Sequence, residues 1–121
     1  MKIFVALGAV FGGLGVAAGA FGAHAMRDQL EPRMLEAFET AVRYQMYHAL
    51  ALLAVAWIYQ QTQAQAAQIA GWAFVVGILL FSGSIYAMAF TGVRGLGAIT
   101  PVGGLALLAG WGALAVAAFR S

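Results

Sequence analysis

The side chains able to do chemistry in this sequence are few, and they stand where apolar runs begin or end: His24, Arg43, Gln45, His48, Ser82, Ser84, Tyr86, Arg94 and Thr100. The two histidines have the widest range, because imidazole can carry a proton near neutral pH, ligate a metal or act as a base. Two histidines without a positioned carboxylate make a weak metal site. Glu39 stands about two and a half turns from His48, on the opposite face of a helix. Ser82 and Ser84 bring no base–acid chain, and the sequence carries neither a nucleophile elbow nor an H-E-x-x-H pattern. These residues point to no catalytic group, no metal set and no cofactor. They leave a polar cluster of His24, Arg43, Gln45, His48, Ser82, Ser84, Tyr86 and Thr100, whose options are hydrogen bonding between helices, a proton relay or contact with a ligand.

The elements that must hold this cluster follow from composition. The chain has 121 residues, 64% of them hydrophobic and 8% charged, with 16 glycines and no cysteine. An average soluble domain is about 25% charged. Six Lys and Arg with four Asp and Glu cannot make a polar skin. Disorder is excluded as well, because it needs low hydrophobicity and high net charge. The composition implies an integral membrane protein with a single domain over residues 1–121. The lack of cysteine removes disulfides, thiolate metal sites and cysteine nucleophiles. The cations are scattered and the net charge is only +2, so no basic stripe exists for nucleic acid.

Four hydrophobic stretches, at about 3–26, 41–59, 69–90 and 98–119, are each near the roughly 20 residues that cross ~30 Å of hydrocarbon. They lack the alternation of barrel strands, and isolated spans must satisfy their backbone internally, so each is expected to be a helix. The first stretch ends in Ala23-His24-Ala25 and resembles a secretory signal. Its apolar run of about 21 residues exceeds the usual 7–15 or so, which favours a retained first span. Pro32 suits a first helical turn, so the second helix is expected to start outside the membrane near residue 33. The second connection is glutamine-rich and uncharged, and the third is glycine-rich with Arg94. Loops this short make successive helices antiparallel neighbours. The expected fold is all-α: an integral membrane four-helix antiparallel bundle with both termini on one side. In it the polar cluster falls towards a single side of the bilayer, and the other half is apolar.

Helix faces refine this. Glu39 and Arg43 stand at i and i+4 in the favourable order. They suggest an interfacial arginine held by Glu39 or Glu36, with its stem along apolar surface. His48 lies about 7 Å deeper than Arg43 by helix rise. It is expected to be a neutral histidine bonded to a neighbouring helix, with relay, ligand or metal roles as alternatives. His24, near the end of the first helix, is expected at similar depth to His48. The first helix carries Gly8, Gly12, Gly15 and Gly19 in small-xxx-small steps. Such steps let membrane helices approach closely. A dinucleotide site would need a strand and a βαβ unit around the glycines, and neither is present.

The strings Gly19-Ala20-Phe21-Gly22-Ala23-His24, Phe38-Glu39-Thr40-Ala41-Val42-Arg43-Tyr44-Gln45-Met46-Tyr47-His48-Ala49-Leu50, Phe81-Ser82-Gly83-Ser84-Ile85-Tyr86 and Ile99-Thr100-Pro101-Val102-Gly103-Gly104 occur in this order. In them the chain resembles, over essentially its whole length, the small bacterial inner-membrane family labelled domain of unknown function 423, which has a eukaryotic transmembrane relative. The resemblance implies a four-helix membrane protein of about this length, and it brings no activity, substrate or catalytic residue. It singles out much the same His24, Gln45, His48, Ser82, Tyr86 and Thr100.

Arg27, Arg33, Arg43 and Arg94 fall on the side of the first and third connections, against Lys2 and Arg120 with the termini. The positive-inside rule then puts the termini outside. Three functions from different classes are compatible with these features. One is a structural or accessory bundle whose partners are the bilayer, a second copy or an unidentified membrane protein. The second is a small oligomeric permease or channel component using His24 and His48. The third is a membrane enzyme acting on a lipid or quinone, for which no residue supplies a mechanism.

Overall fold

A computed structural model describes residues 2–119. Four helices follow one another: α1 (Lys2–His24), α2 (Pro32–Thr62), α3 (Gln65–Thr91) and α4 (Thr100–Phe119), with a 3₁₀ turn at Arg94–Ala98 before the last. Arg120, which entered the charge count, lies outside the described residues.

The helix ends have local causes. Pro32 occupies the first turn of α2, where its missing N–H is no loss. At the other end of α2, Gln63 turns left-handed at φ 54° and its N–H bonds the Tyr59 carbonyl at 2.8 Å. The Ala64 N–H then donates to Thr62 Oγ1 at 3.1 Å, and α3 begins at the next residue. Gly92 closes α3 at φ 74°, a conformation that costs glycine nothing, and its N–H bonds the Met88 carbonyl at 2.9 Å.

The central pair is α2 and α3, with α1 packed on α2 and α4 packed on α3. Glycines set both outer seams. A Cβ at Gly8 would lie 2.8 Å from the Ala49 carbonyl oxygen, and one at Gly19 would lie 3.3 Å from Val42 Cγ1. Gly15 faces Met46, and Gly22 lies against the Phe38 ring. Numbers rise along α1 as they fall along α2, so the two helices are antiparallel. On the other side, Gly103 meets the backbone of Leu80 and Phe81, Leu107 packs on Gly77, and Phe74 packs on Gly110. That seam is antiparallel too. Phe4, Leu52, Val55 and Phe74 are fully buried between the helices, and the Phe4 ring sits on Gly71. Outward positions such as Val10, Val16, Leu79, Leu105 and Leu108 are large, apolar and exposed, as a lipid-facing surface requires.

Three helical segments are long and apolar enough to cross a membrane: Lys2–Gly22, Gln65–Thr91 and Arg94–Phe119. The second helix is not among them, because Arg33, Glu36, Glu39 and Arg43 fill its first third and Gln45 and His48 follow. Its Gln45 and His48 are buried against neighbouring helices. The first and third connections share one end of the bundle. An exposed Arg94–Glu31 ion pair of 3.8 Å joins them, and Phe21 and Phe38 both meet the Phe90 ring.

Candidate functional site

The polar side chains inside the bundle form a ladder of hydrogen bonds between helices. Nearest the charged end, the Ser84 and Thr100 hydroxyls meet at 2.6 Å and join α3 to α4. Ser82 Oγ donates to the Ala41 carbonyl at 2.7 Å and joins α3 to α2. Gln45 uses both ends of its amide. Its Nε2 donates to the Phe11 carbonyl of α1 at 2.8 Å, and its Oε1 accepts from the Tyr86 hydroxyl of α3 at 2.7 Å. One side chain thereby ties three helices. Gly15 stands beside this bond, where a Cβ would be 3.5 Å from Gln45 Nε2. A bulkier residue there would crowd the approach to the carbonyl.

The innermost rung is His48. The Trp111 Nε1–H donates to His48 Nε2 at 2.9 Å, and His48 Nδ1 lies 2.6 Å from the Tyr44 carbonyl. Indole nitrogen can only donate, so Nε2 must carry a lone pair. The carbonyl can only accept, so Nδ1 must carry the hydrogen. Both ring nitrogens are engaged and the imidazole is neutral. The ring also packs edge-on to Trp111 and against Phe74, with centroids 5.6 and 5.4 Å away. This rung joins α2 to α4, which are not neighbours in sequence.

Burial agrees with this accounting. Gln45, His48, Ser82 and Ser84 are the buried polar residues among those described. No buried side-chain nitrogen or oxygen among the described residues lacks a partner. In hydrocarbon such bonds are each worth about 0.6 kcal/mol on average and up to about 1.7. Beyond His48 the core is made only of apolar side chains such as Leu52, Val55, Ala56, Ala70 and Val75.

Two members of the expected cluster stand outside the ladder. His24 is exposed at the end of α1, level with the first turns of α2, since its neighbour Gly22 lies on Phe38. His48 is ten residues further along α2, about 15 Å by helix rise. The expected similar depth of the two histidines is therefore corrected: His24 lies at the charged end, and His48 stands well inside the bundle. Arg43 is exposed, and its Nη2 donates to Thr40 Oγ1 at 3.1 Å instead of pairing with Glu39 or Glu36. The hydroxyl three residues before Arg43 takes the guanidinium, and the Glu39 carboxylate four residues before it makes no ion pair with it. Arg94 pairs with Glu31 outside the ladder. The partners that escaped the sequence are Trp111 and the backbone carbonyls of Phe11, Ala41 and Tyr44. An indole N–H deep in an apolar helix was the available signal for the first, because it needs an acceptor.

Two of the surface grooves adjoin the polar residues. One, of about 540 Å³, lies between α2 and α4 beside Tyr44, Tyr47, His48, Leu107, Leu108 and Trp111. The other, of about 280 Å³, lies at the charged end between α1 and α2, and is lined by Gly19, Gly22, Arg27, Phe38, Glu39, Val42 and Arg43 among others.

The family model described as Protein of unknown function (DUF423) matches residues 18–104. A UPF0382 membrane protein of Staphylococcus epidermidis is 44% identical over 120 residues, covering 99% of this chain and 98% of the relative. The UPF0382 membrane protein YwdK of Bacillus subtilis is 42% identical over 121 residues, covering 99% and 98%. No solved structure matches the chain. The chain belongs to the DUF423 family and is an integral membrane protein.

Proposed function

We propose that this member of the family is a structural or accessory helix bundle of the bacterial inner membrane, one that holds lipid, a second copy or a partner protein and catalyses no reaction. The observation that carries this is the closed hydrogen-bond ladder: Gln45 and His48 have both polar ends engaged, and Ser84 and Thr100 bond each other. A proton path or an active site needs a polar group with a free valence facing a cavity. Here a proton could reach His48 Nε2 only by displacing the Trp111 N–H.

The same reading has all four helices crossing the bilayer. Three are apolar enough by themselves. The second runs antiparallel between the ends of α1 and α3, which lie on opposite faces, so it crosses with them. In the sequence, Arg27, Arg33, Arg43 and Arg94 on the side of the first and third connections, against Lys2 and Arg120 with the termini, favour cytoplasmic first and third connections and termini outside. The chain has no cysteine. Gln63→Cys should react with a membrane-impermeant thiol reagent in intact cells, and Gly95→Cys only after permeabilisation; the reverse pattern inverts the orientation.

The functional test is native mass spectrometry of the protein extracted gently from its own membrane. The expected result is a complex with a second copy, a partner polypeptide or retained lipid. A reproducible small solute, lost in His48→Asn while the fold persists, would overturn the proposal in favour of an oligomeric permease.

A further inference from the structure

We propose that the groove at the charged end of the α1–α2 seam binds the headgroup of an anionic glycerophospholipid, with the phosphate between Arg27 and Arg43. The inference rests on the membrane-bundle reading above and adds a ligand class to it.

Depth is the first argument. From Arg43 to Gln60, α2 rises about 26 Å, close to the ~30 Å hydrocarbon thickness. Arg43 therefore stands at one boundary and Gln60 at the other. Exposed Tyr44 and Tyr47 lie just inside the first boundary, and exposed Trp57 just inside the second, where aromatic belts form. Gly19 packs beside Val42, so the groove opens at headgroup level.

Charge is the second. Among the described residues neither Arg27 nor Arg43 makes an ion pair; the 3.8 Å contact of Arg94 with Glu31 uses other side chains. The groove holds two guanidinium groups and one carboxylate, Glu39. The surplus positive charge matches a lipid with one negative charge. Guanidinium groups suit phosphate oxygens because their donors form a fork. Glu39 can accept from a headgroup hydroxyl, such as those of a phosphoglycerol.

Shape is the third. The floor is Gly19, Gly22, Phe38 and Val42, which is apolar, under a charged rim. A free hydrated anion has no use for such a floor, whereas an amphiphile does. The volume of about 280 Å³ equals that of roughly nine waters at about 30 Å³ each, enough for a phosphodiester with its glycerol.

The test is native mass spectrometry of the purified full chain titrated with phosphatidylglycerol or phosphatidylcholine, with the fold of each variant checked by circular dichroism. Phosphatidylglycerol should bind more tightly. A cation near an anionic lipid contributes about fivefold, so Arg27→Gln with Arg43→Gln should weaken phosphatidylglycerol about 25-fold. Phosphatidylcholine should change far less. Arg33→Gln, at the same end but outside the groove, should leave the preference intact. Should the double variant not fold, the unaltered protein must still lose phosphatidylglycerol preferentially as salt rises. Equal binding of the two lipids, an unchanged double variant, an equal loss in Arg33→Gln or binding of glycerol phosphate as tight as the lipid overturns the proposal. Each of those outcomes leaves the helix-bundle reading standing.

Discussion

The His48–Trp111 bond can be weighed by removing each partner and then both. His48→Phe keeps a ring of similar size but leaves the Trp111 N–H without its acceptor at 2.9 Å. Trp111 is 46% exposed, on the apolar groove beside His48, and a donor left without a partner on that lipid-facing surface costs about 1–3 kcal/mol. Trp111→Phe leaves Nε2 without a donor and thins the edge-on contact with Phe74, now 5.1 Å between centroids. That single change should cost about 2 kcal/mol, from a membrane hydrogen bond of about 0.6–1.7 and an aromatic contact of about 0.5–1.5. The double variant has neither orphan. Its loss should fall short of the summed singles by about 1 kcal/mol. Reversible unfolding in mixed micelles, followed by far-ultraviolet circular dichroism, measures all four corners of the cycle. Additivity within about 0.3 kcal/mol would falsify the bond and the neutral tautomer argued from it. It would also free Nε2 for the relay that the proposed function rejects.

The glycines give a contrast in the same assay. Gly8→Ala and Gly103→Ala place a methyl on backbone atoms 2.8 and 2.7 Å away, which cannot move aside, and each should cost about 1–3 kcal/mol. Gly13→Ala and Gly112→Ala meet nothing within 4 Å and should be neutral or slightly stabilising; equal losses at all four sites would mean that backbone approach is not what these glycines provide. Gln45→Leu strands the Tyr86 hydroxyl and should cost about 1–3 kcal/mol, part of which Tyr86→Phe restores; no recovery in the double variant would mean that the two side chains are not bonded. Gln63→Gly removes a left-handed Cβ at φ 54° and should raise stability by up to about 1 kcal/mol, and a clear loss would show that the Gln63 side chain does something more.

What the sequence reveals here is whatever can be read along one dimension. Apolar runs of membrane-crossing length mark α1, α3 and α4, and charges locate one end of the bundle. The cost of burying polar groups picks out Gln45, His48, Ser82, Ser84, Tyr86 and Thr100 before any helix is placed. Their partners are a different matter. Gln45 and Ser82 bond the carbonyls of Phe11 and Ala41, and a carbonyl has no residue type to announce it. His48 finds Trp111 on α4 because α2 and α4 meet across the bundle, an adjacency that loop length does not encode. The i+4 rule suggests Glu39 for Arg43, yet it weighs only charges on one helix, and the Thr40 hydroxyl takes the guanidinium.

Those carbonyl bonds also bear on why the ladder stops at His48. Lipid tails are as apolar as leucine, so helices gain nothing by leaving lipid for each other except through fit and hydrogen bonds. In the half nearest the charged end, water and headgroups are close, and α2 must carry arginines and glutamates into the interface. There the rungs of Ser82, Ser84 and Gln45 fix the register of α2 against its neighbours. Beyond His48 no polar side chain is buried among the described residues, and fit remains: Phe4 on Gly71, with Leu52, Val55 and Ala70 packed around them. A polar residue introduced there, such as Val55→Asn on the fully buried face of α2, would find only side chains of the apolar core. It should cost at least as much as orphaning Trp111, about 1–3 kcal/mol, whereas Ser82→Ala in the ladder half should cost no more than the ~1.7 kcal/mol upper value for one bond. The reverse order in micelle unfolding would mean that the ladder, and not the apolar half, sets the stability of the bundle.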